Sequence, residues 1–373
     1  MFWTFASNWR QGEHIMYRSL LAAIAALSVV PMASAQSADI APDTVPEWAI
    51  VVHGGAGVIS RDSMTPEREA AYRAAMARAL ETGSQVLDGT GSALDAVEAV
   101  IRELEDDPMF NSGRGAVFTA AGRNELDSSI MDGATRNAGA VAGVSNVRHP
   151  ISLARTVMEQ SRHVMLQGEG AETFAAEQAL EIVPPSFFFT ERRWLSMEAS
   201  LGRLGLEVPP RPEGAPDPAP VEHGAVEQDN RDHRFGTVGV VALDSAGNIA
   251  AGTSTGGTTA KRWGRVGDSP IIGAGTYASN ESCGVSATGT GEYFIRLAVA
   301  SRICALVEFG GLDLQAASDR VIQDELTAME GDGGIVALTP GGDIAWSFNT
   351  PGMYRARLTA GGEPVISIYG DEP

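Results

Sequence analysis

The stretch GTVGVVALDSAGNIAAGTSTGG, residues 236–257, decides the reading of the fold. Its apolar run Thr237–Leu243 predicts a strand, Asp244–Gly247 a turn, and Asn248–Thr253 the returning strand of a hairpin. Threonine stands beside glycine at both ends of that hairpin, in Gly236-Thr237-Val238-Gly239 and in Thr253-Ser254-Thr255-Gly256-Gly257. Just upstream the chain changes character. Pro209, Pro210, Pro212, Pro216, Pro218 and Pro220 crowd together and lead into the polar run EHGAVEQDNRDHR, 222–234. Such a stretch has too little apolar surface to offset the entropy of ordering it, so residues from about 208 to 235 read as a flexible linker. A loop that long without structure needs a reason.

On the N-terminal side of the linker, Trp48–Val52 reads as a strand running into a glycine-rich turn, His53-Gly54-Gly55-Ala56-Gly57. A helix follows, with Thr65 as its cap, Pro66 at its first position and Ala70, Ala74, Ala77 and Leu80 at helical spacing. Ser92 with Asp95 forms a capping box for a second helix. Short strands are expected around Val117, Leu126–Met131 and Ala138–Val144, then helices beginning near Pro150, Glu169 and Glu191. Beyond the hairpin come apolar segments at Ile271–Thr276 and Gly284–Thr288, a long helix over Gly291–Val307, another near Leu314–Met329, and a closing hairpin of Gly334–Leu338 with Ile344–Phe348. Strands on both sides of a helical middle predict hairpin-built sheets covered by helices, a layered α+β architecture.

Composition narrows the function. The 373 residues, 44% hydrophobic and 20% charged, can bury a large core. A formal charge of -20 without a basic block excludes a nucleic-acid footprint. Lys261 is the only lysine, so Schiff-base or P-loop chemistry would rest on it alone. From Met16 the chain shows one arginine, an apolar run Leu20–Val30 and the A-x-A site Ala33-Ser34-Ala35, a signal peptide ending at residue 35 with Met16 as its start. The run is shorter than the roughly 20 residues that span a bilayer. Export to the periplasm or beyond is expected, with no membrane association of the mature form. Cys283 and Cys304, both in apolar surroundings, read as two buried free thiols.

Most catalytic motifs are missing. Gly113-Arg114-Gly115 and Gly289-Thr290-Gly291 each lack the third glycine of a dinucleotide fingerprint, and neither G-x-x-x-x-G-K-[ST] nor H-E-x-x-H occurs. Histidines are too few and scattered for a zinc site or a Ser-His-Asp triad. The threonines remain. A threonine with a free α-amine carries a general base of unperturbed pKa about 7.7 on the same residue. Thr237 would gain that amine if the chain were cut after Gly236, and a glycine there lets the backbone bend for attack by the hydroxyl. The linker then has its reason. The plain alternative is that these threonines merely suit strands and these glycines merely suit turns.

A wider set of residues resolves the choice. HGGAG (53–57), NSGRGAVFT (111–119), ELDSSIMDG (125–133), AGAVAGVSNVRHP (138–150), GTVGVVALDSAGN (236–248), TSTGG (253–257), GRVGDSPIIGAG (264–275) and TGTGE (288–292) resemble, in order and spacing, the plant-type L-asparaginase / isoaspartyl peptidase family of N-terminal nucleophile hydrolases. The resemblance covers essentially everything from Ile50 to Tyr369, and it implies a four-layer αββα sandwich. It further implies autocatalytic cleavage between Gly236 and Thr237, giving pieces 36–236 and 237–373, with Thr237 as nucleophile and Thr255 supporting its hydroxyl. By the same resemblance Arg265 clamps a substrate α-carboxylate, Asp268 and Gly291 receive the α-ammonium, and Thr288 with Gly289 form the oxyanion hole. Carbonyls around Leu104, Glu105, Asp107, Phe110, Ser112 and Arg114 match a loop that binds a structural sodium ion in relatives; no cofactor is implied for catalysis. The implied assembly is a dimer of αβ pairs. Arg265 and Asp268, three apart and opposite in charge, suit a zwitterionic amino-acid head, although alone they could be a surface ion pair. Phe235 departs from the histidine of several relatives, on the leaving side of the cut. The expected activity is hydrolysis of β-aspartyl (isoaspartyl) dipeptides and of asparagine. Two rivals are glycosylasparaginase, whose D-T-[IV]-G start differs from the GTVG here, and an inactive protein that only binds an aspartyl ligand.

Overall fold

The computed structural model describes residues 45–217 and 236–373. The expected leader at 1–35, residue 235 and the later part of the linker, from 218, lie outside the described residues.

In chain order the elements are β1 (Ala49–Gly57), α1 (Pro66–Asp88), α2 (Ala93–Asp106), β2 (Leu126–Asp132), β3 (Ala138–Val144), α3 (Pro150–Gln160), β4 (Met165–Gln167), α4 (Gly168–Glu177) and α5 (Glu191–Leu204). After the linker come β5 (Val238–Leu243), β6 (Ile249–Thr255), β7 (Thr276–Ala278), β8 (Gly284–Gly289), α6 (Gly291–Leu297), α7 (Val299–Glu308) and α8 (Leu314–Asp319), which continues as a π-helical segment to Leu326. Strands β9 (Gly333–Leu338), β10 (Ile344–Phe348), β11 (Gly352–Thr359) and β12 (Val365–Tyr369) complete the order. Eight strands form one sheet in the order β12-β11-β1-β5-β6-β2-β3-β4, and four form a second, β10-β9-β8-β7.

Three apolar layers fix how these sheets stack. Ile50 and Val52 of β1 and Val240 of β5 face Met76 and Leu80 of α1 and Val97 and Ile101 of α2. The alternate residues of the same strands, Val51, Val241 and Leu243, point the other way and meet Val336 and Leu338 of β9. The opposite face of the small sheet, with Val285, Ile335 and Ala337, is covered by Ile303 of α7 and Leu314 and Ala317 of α8. The order is therefore helix, sheet, sheet, helix, the expected αββα sandwich. Strands β1 and β5 are buried at every position because both of their faces are covered. At about 1.5–3 kcal/mol per fully buried aliphatic side chain, the three layers supply the main force holding the sheets together.

Local signals account for much of this. Thr65 accepts from the Arg68 amide at 3.3 Å, and Ser92 with Asp95 forms the expected capping box. Strands β5 and β6 pair antiparallel from Val238 opposite Ser254 to Leu243 opposite Ile249. Their turn is held by Asp244, whose Oδ1 accepts from the amides of Ala246 and Asn248 at 3.0 and 2.9 Å.

The structure differs from expectation in several places, each with a physical cause. β1 does not stop at Val52 but runs through the glycines to Gly57, with a bulge between His53 and Gly55. Gly55 adopts φ 108°, and a Cβ there would lie 2.5 Å from Gly236 Cα. The region around Val117 forms no strand, only a bridge between Phe118 and Asn124. Ile272 likewise makes only a bridge to Thr276, where β7 begins. The helix expected over Gly291–Val307 breaks at Ala298, φ 50°, which frees the Ala300 and Ser301 amides to donate to the carbonyls of Ala274 and Gly273 at 3.1 and 2.9 Å. Strands β11 and β12 extend the chain beyond the expected closing hairpin. Both cysteines are buried as expected, but they are not free thiols: α7 crosses the small sheet so that the Cα atoms of Cys283 and Cys304 come within 5.3 Å, and the two form a disulfide.

Candidate active site

Four strand ends meet at one edge of the sandwich. Thr237 stands immediately before β5, opposite the end of β6 that carries Thr255, and the two hydroxyl oxygens lie 3.0 Å apart. Both residues are buried. The Thr255 oxygen also accepts from the Gly257 amide at 3.0 Å, which fixes it in place. In the continuous chain the Gly236 carbonyl accepts from the Asn111 amide at 3.0 Å, while the Asn111 side chain donates to the Gly257 carbonyl at 2.7 Å. Asn111 thus ties the bond in front of Thr237 to the turn after Thr255. Thr288, fully buried at the end of β8, accepts from the Ala56 amide of β1 at 3.4 Å. That contact bridges the two sheets beside Gly55 and Gly236. Gly289 follows directly, paired with Gly333 of β9.

The charged residues lie on the adjoining segments. Arg265 and Asp268 do not pair with each other. Arg265 donates through Nε and Nη2 to the two carboxylate oxygens of Glu292, at 3.0 and 2.9 Å, so the guanidinium is held flat by a fork. Asp268 is only 5% exposed, and its Oδ2 has no hydrogen-bond partner among the described residues. Burial, only partly offset by the Arg265 charge, pushes its pKa up to about 7. Gly291, first residue of α6, lies so close that a Cβ there would be 2.8 Å from Asp268 Oδ1. A buried carboxyl group with an open Oδ2 beside a held guanidinium presents the two charges that an ammonium and a carboxylate on one carbon would match.

The loop after α2 meets the same region from below. Leu104 and Glu105 lie in the last turn of α2, whose carbonyls have no partners within the helix. A Cβ on Gly113 would lie 2.1 Å from the Glu105 carbonyl oxygen, and one on Gly115 would lie 1.8 Å from that of Phe110. The loop is therefore curled with carbonyls facing inward. The Asp107 and Ser112 carbonyls each accept one amide, from Phe110 at 3.3 Å and Gly115 at 3.0 Å. The Arg114 side chain points away, over the Phe187 ring at 5.3 Å. Hard oxygen donors at a helix C-terminus fit an alkali cation. Among the described residues no three of His, Cys, Asp and Glu gather to hold a metal.

Lys261 lies beneath the site. Its side chain is 1% exposed, and Nζ donates to the Glu125 carbonyl at 2.8 Å and stands 3.7 Å from Asp127 Oδ2. Asp127 is in turn the cross-strand neighbour of Thr255.

A family profile described as Asparaginase matches residues 46–368. The chain belongs to this asparaginase family. Among its relatives, isoaspartyl peptidase of Escherichia coli is 48% identical over 323 residues, 87% of this chain and 96% of the relative. A probable isoaspartyl peptidase/L-asparaginase 2 of Arabidopsis thaliana is 43% identical, over 86% of this chain and 99% of the relative. Plant-type L-asparaginase of Pyrococcus abyssi is 40% identical over the same shares.

In this asparaginase-family chain, Thr237, Thr255, Thr288, Gly289, Arg265, Asp268 and Gly291 come from segments up to 54 positions apart, with Gly236 next to the nucleophile candidate. Two residues of the site carry no separate signal in the sequence. Asn111 opens the NSGRGAVFT motif, but its partners Gly236 and Gly257 lie more than 120 positions away, and no spacing rule links them. Glu292 ends the TGTGE motif, but its partner Arg265 lies 27 positions away, and no spacing rule links them.

Proposed function

We propose that this protein is an exported, self-cleaving threonine hydrolase acting on β-aspartyl dipeptides and on the side-chain amide of asparagine. The observation that carries the reading is the buried Thr237 hydroxyl, held 3.0 Å from Thr255 and next in the chain to a Gly236 carbonyl that accepts from the Asn111 amide.

Maturation comes first. The Thr237 oxygen attacks the Gly236 carbonyl carbon, and the Asn111 amide already faces the carbonyl oxygen where negative charge develops. The C–N bond breaks, the nitrogen keeps a proton from the hydroxyl, and water hydrolyses the resulting ester. Thr237 then has a free amine, which an amide nitrogen could not replace as a base. In turnover Arg265 takes the substrate α-carboxylate, and Asp268 with the Gly291 carbonyl takes the α-ammonium. The β-carbonyl then faces Thr237, whose amine accepts the hydroxyl proton as the ester forms and passes it to the leaving amine. Thr288 Oγ1 and the Gly289 amide hold the oxyanion, and water releases aspartate. Glu292 shares the guanidinium with the incoming carboxylate and keeps it oriented meanwhile.

The cut pieces stay together on this reading, because β1 from the first pairs with β5 and β11 from the second. Two such pairs make the assembled unit. The disulfide supports an oxidising compartment, in keeping with the leader. A sodium ion held by carbonyls of residues 104–114 would brace the turn that carries Asn111, a structural role only.

Intact mass measurement tests the cut: two species, beginning at residues 36 and 237, are expected from active enzyme, and a single uncut active species overturns the nucleophile assignment. Turnover of β-Asp-Leu against N-acetylglucosaminyl-asparagine tests the substrate, and a strong preference for the glycosylated compound moves the reading to glycosylasparaginase.

A further inference from the structure

Five polar side chains in the layer between the sheets take no part in the chemistry above. His53 of β1, Ser129 of β2, Thr253 of β6, Thr276 of β7 and Ser286 of β8 are each 0% exposed. They form one unbroken chain. His53 Nε2 lies 3.0 Å from Ser286 Oγ, which is 2.7 Å from Thr253 Oγ1. Thr253 and Thr276 are 2.6 Å apart, Thr276 and Ser129 2.8 Å, and Ser129 Oγ lies 2.6 Å from the Ser269 carbonyl. Burying five polar groups among valines and alanines costs several kcal/mol unless they are satisfied, and here all four hydroxyls and His53 Nε2 find partners in the chain, while His53 Nδ1 has none among the described residues.

A proton count orders the chain. Ser129, whose hydroxyl also faces the Ser269 carbonyl, donates to Thr276 and Thr276 donates to Thr253, so with Thr253 donating to Ser286 and Ser286 to His53 Nε2 the run from Ser129 to the ring has one proton per contact. The Gly252 and Gly275 carbonyls, 3.0 and 3.1 Å from Ser286 and Thr253, are further acceptors along the way. Burial holds the His53 pKa down at about 3 against a weaker opposing pull from the Thr237 main chain, so the ring stays neutral, as this order requires.

Both ends of the chain reach the site. His53 pairs with Gly239, two residues after Thr237, and a Cβ at Gly239 would lie 1.9 Å from Ser286 Oγ. Ser286 precedes Thr288 by two on β8, so both hydroxyls leave the same face toward β1, one to His53 and the other to the Ala56 amide. At the far end Ser269 is the neighbour of Asp268.

We infer that this chain of hydroxyls sets the separation between nucleophile and oxyanion hydroxyl, with Ser286 and Thr253 as positioning residues that never touch substrate. The inference rests on the proposed function for the roles of Thr237 and Thr288. Fully processed wild type, Ser286→Ala, Thr253→Val and Thr253→Ser enzymes, assayed on β-Asp-Leu, test it. Ser286→Ala and Thr253→Val are expected to lose at least tenfold in kcat with KM within twofold, whereas Thr253→Ser, which restores the hydroxyl, keeps kcat within twofold. Unchanged kcat in either of the first two overturns the inference, as does a loss confined to KM or a Thr253→Ser enzyme as slow as Thr253→Val. Should Ser286→Ala fail to fold, the two Thr253 variants decide. Should wild type cleave itself but not turn over β-Asp-Leu, the proposed function falls on its own. The rate of self-cleavage then tests the positioning role by itself: a slowing of about tenfold in the same variants supports it, and an unchanged rate overturns it.

Discussion

The two halves of the candidate site are built in opposite ways. Around Thr237 everything is hydroxyl or main-chain amide: Thr255, Thr288, and the amides of Gly257, Asn111 and Ala56. Around Asp268 the side chains are charged: one guanidinium, one carboxylate that holds it, and the Asp268 carboxyl group, whose Oδ2 has no partner among the described residues. The first half is neutral, densely bonded and placed by sheet registry. The second stores an unfavourable state, a desolvated carboxyl group, that only a cation can relieve. On the proposed function, shape is kept by the uncharged half and recognition by the charged one, and the two should fail differently.

Thr237→Ala should break the neutral half outright. The variant is expected to fold, remain one uncut chain by intact mass, and lose about 10⁴-fold or more in turnover, because on the proposed function nucleophile and base are the same residue. Arg265→Ala should break only the charged half. Loss of a bidentate, charge-assisted contact worth about 2–4 kcal/mol lowers kcat/KM by roughly 30- to 1000-fold, while the cut after Gly236 proceeds. Uncut Arg265→Ala protein would instead assign the residue to maturation.

Smaller and more diagnostic is the pH response. On the proposed function Asp268, with its pKa raised to about 7, must ionise to receive the substrate ammonium, so KM should rise about tenfold from pH 8 to pH 6. Asp268→Asn should flatten that dependence and raise KM at pH 8. Stability responds in the opposite direction. A carboxyl whose folded pKa is raised favours the native state most below the unfolded value of 3.8, and that contribution is lost as pH rises through about 7. Smallest for turnover is reduction of Cys283–Cys304. The closed loop contains Thr288, Gly289 and Glu292, yet the β8–β9 ladder also holds them, so activity at 25 °C should be retained. Thermal unfolding should nevertheless begin several degrees lower, for a cross-link that closes a loop of about 20 residues and contributes about 3 kcal/mol.

What could be read beforehand follows the range of the physics involved. Helix starts at Thr65 and Ser92 rest on bonds within four residues, and the hairpin at 237–255 rests on alternation and a turn, so both are legible. β11 is not, because Arg355 interrupts its apolar pattern. That arginine is nonetheless buried, since its guanidinium donates to the carbonyls of Met353, Tyr369 and Glu372, at 3.3, 3.2 and 2.7 Å. The disulfide, the Arg265–Glu292 fork and the break at Ala298 all depend on partners far along the chain that local pattern cannot supply. Thr237, Thr255 and Thr288 are legible for another reason: strand ends rich in glycine and threonine are unusual, and the family resemblance adds roles that periodicity cannot.

The burial of Lys261 has a practical consequence for following maturation. With its one lysine sealed between Glu125 and Asp127, the folded protein presents no reactive side-chain amine to reagents that acylate primary amines. Such a label on native protein reports chain ends alone. A continuous chain offers one of them and a cut chain two, so stoichiometry of labelling becomes a clock for the appearance of the Thr237 amine, and protection of the second label by an aspartyl ligand would place that amine in the pocket.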